Sequence, residues 1–294
     1  MMDGTNLTEK QLRCIPDVTF ELIPIKNLVS NQNYQRPLSE SHIRKTVDEF
    51  DVYQINPVKV SRRDGICYVF DGQHTIEIVA KESGSRETPV WCMIYELEYE
   101  EEARIFANQQ KHVKSLLPYE TFNAHIEADD TKHLLIKSIV ESYGLKITNA
   151  KGPNCIVAVS TLEKIYEKYG QSVMDTTLRL AVATWEGETN SLAGNILMGI
   201  ARIIVAYGDQ LREDVFKEHV GRVSVKSIIR TAKERRPGSM GYAEAMMLAY
   251  NNKNKYRLSL RVLYGGKNFA YDDEEDEEEE KERGTSSAQN IVDD

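Results

Sequence analysis

Two kinds of apolar patterning divide the chain. Near the N-terminus short β-type runs dominate, and from about residue 100 onward apolar residues recur at three- and four-residue spacing. In Thr19-Phe20-Glu21-Leu22-Ile23-Pro24-Ile25, β-formers alternate with other residues, which predicts a strand and places the start of ordered structure at Thr19. Residues 39–50 carry Ile43, Val47 and Phe50 at helical spacing, with Ser39 or Ser41 able to cap, so a short amphipathic helix is expected. Two strands, 57–61 and 66–70, flank Arg62-Arg63-Asp64-Gly65, where Asp-Gly signals a hairpin. A helix over 75–81 ends at Gly84, and a last strand covers 88–95. The predicted order is β–α–β–β–α–β.

The remainder reads as helical. A helix is expected from 100 to about 117, with Ala103, Phe106, Ala107 and Gln110 as its apolar stripe. Helices follow over 119–128 and 131–143, then an extended or looped stretch at 147–159. Further helices are predicted over 161–169, 174–185, 191–207, 212–218, 223–235 and 242–250. The 192–207 run is apolar on almost all sides, as befits a helix at the centre of an all-α domain. The resulting division is a loose lead-in at 1–18, an α+β domain at 19–96, an all-α domain at 97–265 and a disordered acidic tail at 266–294.

Charge changes the picture more than composition does. Of 294 residues 41% are hydrophobic, enough for real cores, and the formal net charge of -9 argues at first against a polyanion partner. That total hides a segregation. Residues 272–280 are nine consecutive acids, the segment 271–294 carries -10, and residues 1–270 therefore stand at +1. Within that body, 217–267 holds twelve Lys and Arg against Glu218, Glu234 and Glu244, a local +9. Lys226, Arg230 and Lys233 recur along one helix face, with Arg235-Arg236 at its end and Lys253, Lys255 and Arg257 in a later segment containing Tyr256. Aligned cations of this kind displace counterions from phosphates, so these eight residues are the candidate nucleic-acid surface. The alternative is an ordinary solvated face. The acidic tail is either a solvated end or a tethered polyanion competing with nucleic acid.

Other classes are not signalled. No apolar run approaches the roughly 20 residues needed to cross a bilayer, and no secretory signal opens the chain, so a cytoplasmic protein is expected. Cys14, Cys67, Cys92 and Cys155 are far apart and read as reduced thiols, and the histidines lack metal-ligand spacing.

The most chemically informative stretch is Asp71-Gly72-Gln73-His74-Thr75, where a strand delivers glycine into a helix start. Such a turn presents backbone N–H groups and the positive end of a helix dipole to a phosphate. Asp71, Gln73 and His74 would stand at its mouth, and Arg36, in the polar loop 31–37, is the candidate second phosphate contact. The plain alternative is a capped turn that binds nothing.

Tyr34-Gln35-Arg36-Pro37, Asn56-Pro57-Val58-Lys59-Val60, Asp71-Gly72-Gln73-His74 and the strand from Pro89 together resemble the ParB N-terminal/sulfiredoxin-like superfamily. The resemblance is nearer to ParB-like proteins with a D-G-Q-H-R box from phages and integrative mobile elements. It covers about 19–96 and implies a small α+β fold whose box, here Arg36, Asp71, Gly72, Gln73, His74 and Thr75, binds nucleotide phosphates. CTP or ATP with Mg2+ is the implied cofactor and DNA the implied partner, with RNA and a homodimer left open. Thr75 stands where the D-G-Q-H-R variant has Arg, and Gln73 stands where sulfiredoxin has its catalytic Cys, which argues against a sulfinic-acid reductase. The leading expectation is a nucleic-acid-associated binding protein, a partition-like or regulatory factor of a phage or mobile element. The alternative is a nuclease, NTPase or phosphotransferase using Arg36, Asp71, Gln73 and His74 around a metal-bound nucleotide, with Asp64, Glu77, Arg62 and Arg63 nearby. So thin a set of carboxylates and cations favours binding over catalysis.

Overall fold

The computed structural model describes residues 8–30, 34–35, 37–109 and 116–265. The acidic run 272–280, Arg36 and Lys111 lie outside the described residues. The fold is α+β, with a sheet-containing unit over Met1–Ser115 followed by a helical unit over Leu116–Asp294. This boundary differs from the sequence expectation of 96/97, because the helix after the last strand packs with the sheet.

The sheet unit opens with a single helical turn, α1 (Glu9–Leu12), inside the expected lead-in; the Thr8 and Gln11 side chains form a capping box there. Its sheet has five strands in the order β1 (Thr19–Pro24), β5 (Pro89–Tyr95), β3 (Val58–Arg63), β4 (Ile66–Asp71) and β2 (Leu28–Ser30). β1 and β5 run antiparallel, with Pro24 opposite Pro89 at their end, β3 is parallel to β5, and β2 is parallel to β4. The β3–β4 hairpin turns at Asp64 and Gly65, both with positive φ (51° and 74°), as a type I′ turn requires. The register slips between Lys59 and Val60, so that Lys59 faces Asp71 while Val60 faces Val69. This bulge lies at the end of β4, where the chain leaves the sheet for Gly72.

α2 (Glu40–Asp48) and α3 (Gln73–Ser83) accompany the sheet. Val58, Val60, Val69, Cys92 and Ile94 pack with Ile76 of α3 in a closed apolar core. Burial pushes the Cys92 thiol up to about 12. α4 (Tyr99–Gln109) is anchored by charge more than by an apolar stripe. Glu102 is wholly buried and ion-pairs with Arg63, and the Tyr34 hydroxyl donates to it at 3.1 Å. Tyr34 also packs against the rings of Tyr99 and Phe106 at 5.8 and 5.5 Å. The expected stripe is therefore corrected: Ala107 is exposed, and the residue driven inward is a carboxylate with a guanidinium to meet.

The helical unit comprises α5 (Pro118–Glu127), α6 (Thr131–Ser142), the two-residue parallel strands β6 (Lys146–Ile147) and β7 (Cys155–Ile156), α7 (Val159–Trp185), α8 (Gly194–Tyr207), α9 (Glu213–Gly221), α10 (Val225–Arg235) and α11 (Gly238–Asn251). α7 is broken at Gly170, whose φ of 82° and ψ of 174° separate the two helices that the sequence predicts. α8 forms the centre, with Ile196, Leu197, Ile200, Ala201 and Ile203 buried. It approaches α11 so closely at Gly199 that a Cβ there would lie 2.8 Å from the Met246 methyl and 3.1 Å from the Ala243 nitrogen. Among the described residues no helix is long and apolar enough to cross a membrane.

Candidate functional site

In the sheet unit the site is built at the β4–α3 junction. Gly72 takes φ 97° and ψ 19°, and a Cβ placed on it would meet Val58 Cα and Cγ2 at 3.3 Å. Both the left-handed backbone and the close approach require glycine. No side chain caps α3, and the first helical bond runs from the Ile76 N–H to the Gly72 carbonyl at 3.1 Å. The positive end of α3 is thus presented without a side-chain oxygen across it.

A second helix start meets the first. Ser39 Oγ caps α2 by accepting from the His42 N–H at 3.3 Å, and the Ser39 N–H donates to His74 Nε2 at 3.2 Å. The His42 and His74 rings stand edge to face with centroids 5.6 Å apart. Asp71 Oδ2 lies 3.4 Å from Lys59 Nζ across the bulge. Burial, and after it the Asp71 charge, push the Tyr95 hydroxyl above its usual range. Gln73 is buried and Thr75 half-buried, so in this structure neither is an open surface group. Gln35, buried in the preceding loop, donates through Nε2 to the Val69 carbonyl.

The other charges expected nearby have partners. Arg62 makes a two-pronged pair with Glu21 (3.0 and 2.6 Å), Arg63 pairs with Glu102, and both Glu77 oxygens accept from Arg86 at 3.0 Å. Among the described residues no group of three or more His, Cys, Asp or Glu could hold a metal ion. The junction therefore offers two converging helix starts, a paired Asp71, and His74 as the link between them.

In the helical unit α9, the three-residue turn 222–224 and α10 follow one another directly. Gly221, at the end of α9, lies against α7, where a Cβ would stand 3.2 Å from the Thr184 carbonyl, and Trp185 Nε1 donates to the Val223 carbonyl at 3.2 Å. Ser224 caps α10 through the Ser227 N–H at 3.3 Å. Val225, Ile228 and Ala232 are buried, while Lys226, Arg230 and Lys233 are exposed and have no ion-pair partner among the described residues. The 3.6-residue period puts these cations in a row on the solvent side.

The remaining cations differ. Arg235 Nε donates at 2.6 Å to the buried Glu244, which also accepts from the Tyr264 hydroxyl, so Arg235 is tied to the body of the unit. The Arg236 guanidinium sits 5.9 Å from the Tyr264 ring centroid. Lys253, Lys255 and Arg257 are exposed on a segment held by buried Asn254, whose Nδ2 donates to the Tyr250 carbonyl at 2.9 Å. The Arg212 guanidinium lies 4.1 Å and Lys255 Nζ 4.8 Å from the Tyr256 ring centroid, and the Lys255 hydrogen bond, with the charge of Arg212, holds the Tyr256 hydroxyl below its usual range. Arg257 and Arg261 also edge a groove of about 830 Å³ floored by Val223, Ile228, Leu248 and Leu258. Sequence reasoning missed Arg212 and Arg261, and the basic composition of 217–267 gave a signal only for the second.

No curated protein matches the chain. Among solved structures, a C-terminally truncated chromosome-partitioning protein ParB from Caulobacter crescentus, complexed with CTP-gamma-S, is similar at 16% identity and TM-score 0.34, covering 65% of this chain and 94% of that one. The same truncated protein complexed to the centromeric parS site is similar at 14% identity and TM-score 0.26, covering 70% and 95%. Over residues 29–262 the sequence matches a family described only as a family of unknown function, and the chain belongs to that family, DUF6551.

Proposed function

We propose that this chain is a nucleic-acid-binding protein whose sheet unit takes the phosphates of a nucleotide at the Gly72 turn. The observation that carries the reading is the α10 face: Lys226, Arg230 and Lys233 stand exposed without ion-pair partners on the second helix of a helix–turn–helix succession. A row of uncompensated cations on a short, rigidly capped helix is suited to track a phosphate backbone. Lys253, Lys255, Arg236 and Arg257 extend the positive surface, and Arg235 supports it through Glu244.

At the Gly72 turn the residues suit a phosphate. Glycine leaves the backbone accessible, α3 begins without a side-chain cap, and the start of α2 is joined to it through His74. Arg36 is the proposed cation of this pocket, with Asp71, Gln73, His74 and Thr75 around it. CTP or ATP is the proposed nucleotide. Lys59 already pairs with Asp71, so Mg2+ would arrive on the nucleotide's own phosphates. The sequence resemblance to the ParB-like superfamily supports a partition-like or regulatory role for a phage or mobile element, acting in the cytoplasm on DNA.

Calorimetric titration with CTP, ATP and GTP in Mg2+, with and without duplex DNA or RNA, tests both halves. Lys226→Ala with Arg230→Ala should weaken binding uniformly across sequences and lower the salt slope by about two, one for each lost phosphate contact. Arg36→Ala and His74→Ala should weaken nucleotide binding. Unchanged nucleic-acid affinity in the α10 variant would overturn the first half, and unchanged nucleotide affinity the second.

A further inference from the structure

Beside the α10 row lies a cavity of about 260 Å³ lined by Asn195, Lys233, Arg236, Pro237, Gly238 and Tyr242. We propose that it seats one phosphodiester group of the bound nucleic-acid strand, an inference that rests on the reading of α10 as the nucleic-acid face. With water's share of liquid volume at about 30 Å³, the space holds a tetrahedral oxyanion together with part of its hydration.

Three elements build it, and each contributes positive potential. The end of α10 supplies Lys233 and Arg236. The corner into α11 is tight: a Cβ on Gly241 would lie 2.2 Å from the Arg236 carbonyl and 2.9 Å from that of Ala232, so glycine lets the two helices close on each other. Arg236 is thereby held with an extended backbone, at φ -163° and ψ 157°, at the rim of the cavity. α11 then starts from Pro237, which has no side-chain oxygen to cap it. α8 brings Asn195 in its first turn, and it too starts without a side-chain cap, from Ala193. Asn195 supplies an amide N–H₂, a donor to an anion.

The surrounding charges are of one sign. Lys233 has no ion-pair partner among the described residues, and the acid of α11, Glu244, is taken by Arg235 and Tyr264. Behind the wall, buried Arg202 of α8 donates to Ser239 Oγ at 2.8 Å, one residue from the cavity-lining Gly238. Two side-chain cations, a buried guanidinium and two helix starts leave this recess suited to an anion. Lys233 decides which anion. It is both the last member of the exposed α10 row and part of the cavity wall, so a backbone following that row reaches the cavity. From Lys226 to Lys233 the helix rises roughly 10 Å, about three steps of a strand at an axial 3.4 Å each.

Asn195→Asp separates this proposal from simple loss of fold, because a carboxylate in the first turn of a helix favours the helix while repelling an anion beside it. Affinity for duplex DNA and for RNA would be measured over a salt series in the wild type, Asn195→Asp and Lys226→Ala, alongside the melting response to inorganic phosphate. Asn195→Asp should lower nucleic-acid affinity about tenfold and the salt slope by about one, and should abolish the phosphate-induced rise in melting temperature. Lys226→Ala should lower the slope while keeping the phosphate response. If Asn195→Asp keeps wild-type affinity and slope while Lys226→Ala loses both, the cavity assignment is overturned and the α10 reading stands. If no wild-type binding to DNA or RNA is seen, the α10 reading falls and the phosphodiester assignment with it, even where Asn195→Asp removes a phosphate response.

Discussion

The backbone N–H of Ser39 donates to Nε2 of His74 at 3.2 Å, so the residue that caps α2 is held by the second residue of α3. A ring nitrogen that accepts is unprotonated, which places the proton of a neutral His74 on Nδ1. His74→Ala should leave the fold intact, lower stability by about 1 kcal/mol and speed amide hydrogen exchange at Ser39. Exchange at Ser39 no faster than in the wild type would show that the two helix starts are not coupled through this ring.

Gly72→Ala tests the backbone of the same junction. The substitution puts a side chain at φ 97° and a methyl 3.3 Å from Val58, so a loss of about 2 kcal/mol is expected in urea unfolding. Because part of the penalty is crowding, it should shrink in a Val58→Ala background, whereas the backbone part should remain. A full penalty in that background would assign the whole effect to φ.

These junction residues are also the most legible in the sequence. Gly72 stands between a β-type run and a helical run, and Asp64-Gly65 names its own turn, because local backbone chemistry is written in adjacent residues. β2 escaped notice since three residues, Leu28–Ser30, are too few to show a period, and it is held by pairing with β4. The ion pairs were illegible for another reason. Arg63 finds Glu102 and Arg62 finds Glu21 about forty positions away, and no spacing rule reaches that far. The apolar stripe expected on α4 failed because a buried guanidinium can draw a carboxylate inward against hydropathy. Likewise Arg235 reads as one more cation of a basic run, and only the packing of α10 on α11 reveals its tie to Glu244.

Glu102→Gln should accordingly be among the more damaging substitutions in the sheet unit. It leaves Arg63 without its counter-charge beside the Tyr68 ring, 4.4 Å from the guanidinium, and an order of 3 kcal/mol is expected for breaking a buried pair. Tyr34→Phe, which removes one neutral donor to the same carboxylate, should cost about 1 kcal/mol. Chemical denaturation of both variants checks the ranking; equal losses would mean that the hydroxyl, not the charge pair, dominates.

In the helical unit His133 is buried between two carboxylates, with Nδ1 2.5 Å from Asp130 Oδ1 and Nε2 3.0 Å from Glu163 Oε1, and His125 stacks on it at 4.2 Å. The hydrogen bonds from His133 hold the Asp130 carboxyl below its usual range. A depressed folded-state value means stability that is present above the unfolded-state value and lost as pH falls through the folded one. Asp130→Asn keeps a good helix cap but removes the charge. The wild type should therefore be the more stable of the two at neutral pH, with the advantage fading as the pH drops below about 3.9, the ordinary Asp value. Urea midpoints between pH 3 and 7 measure this, and a pH-independent difference would sink the assignment.

The acidic run 272–280 begins seven residues after Gly265, the last described residue, and Lys253, Lys255, Arg257 and Arg261 stand exposed just before it. A tethered polyanion competes at high effective concentration with any nucleic acid drawn to those cations. Screening shortens the reach of that competition, to about 10 Å at 0.1 M salt and about 3 Å at 1 M. A chain ending at Tyr271 should therefore bind duplex DNA more tightly than the full chain, with the gain largest at low salt and vanishing toward 1 M. Because the intact chain's own carboxylates partly replace the released counterions, the truncated chain should also show the steeper salt slope. Equal affinities and slopes across the salt series would show that the run does not meet the basic surface, and its charge would then matter only for solubility.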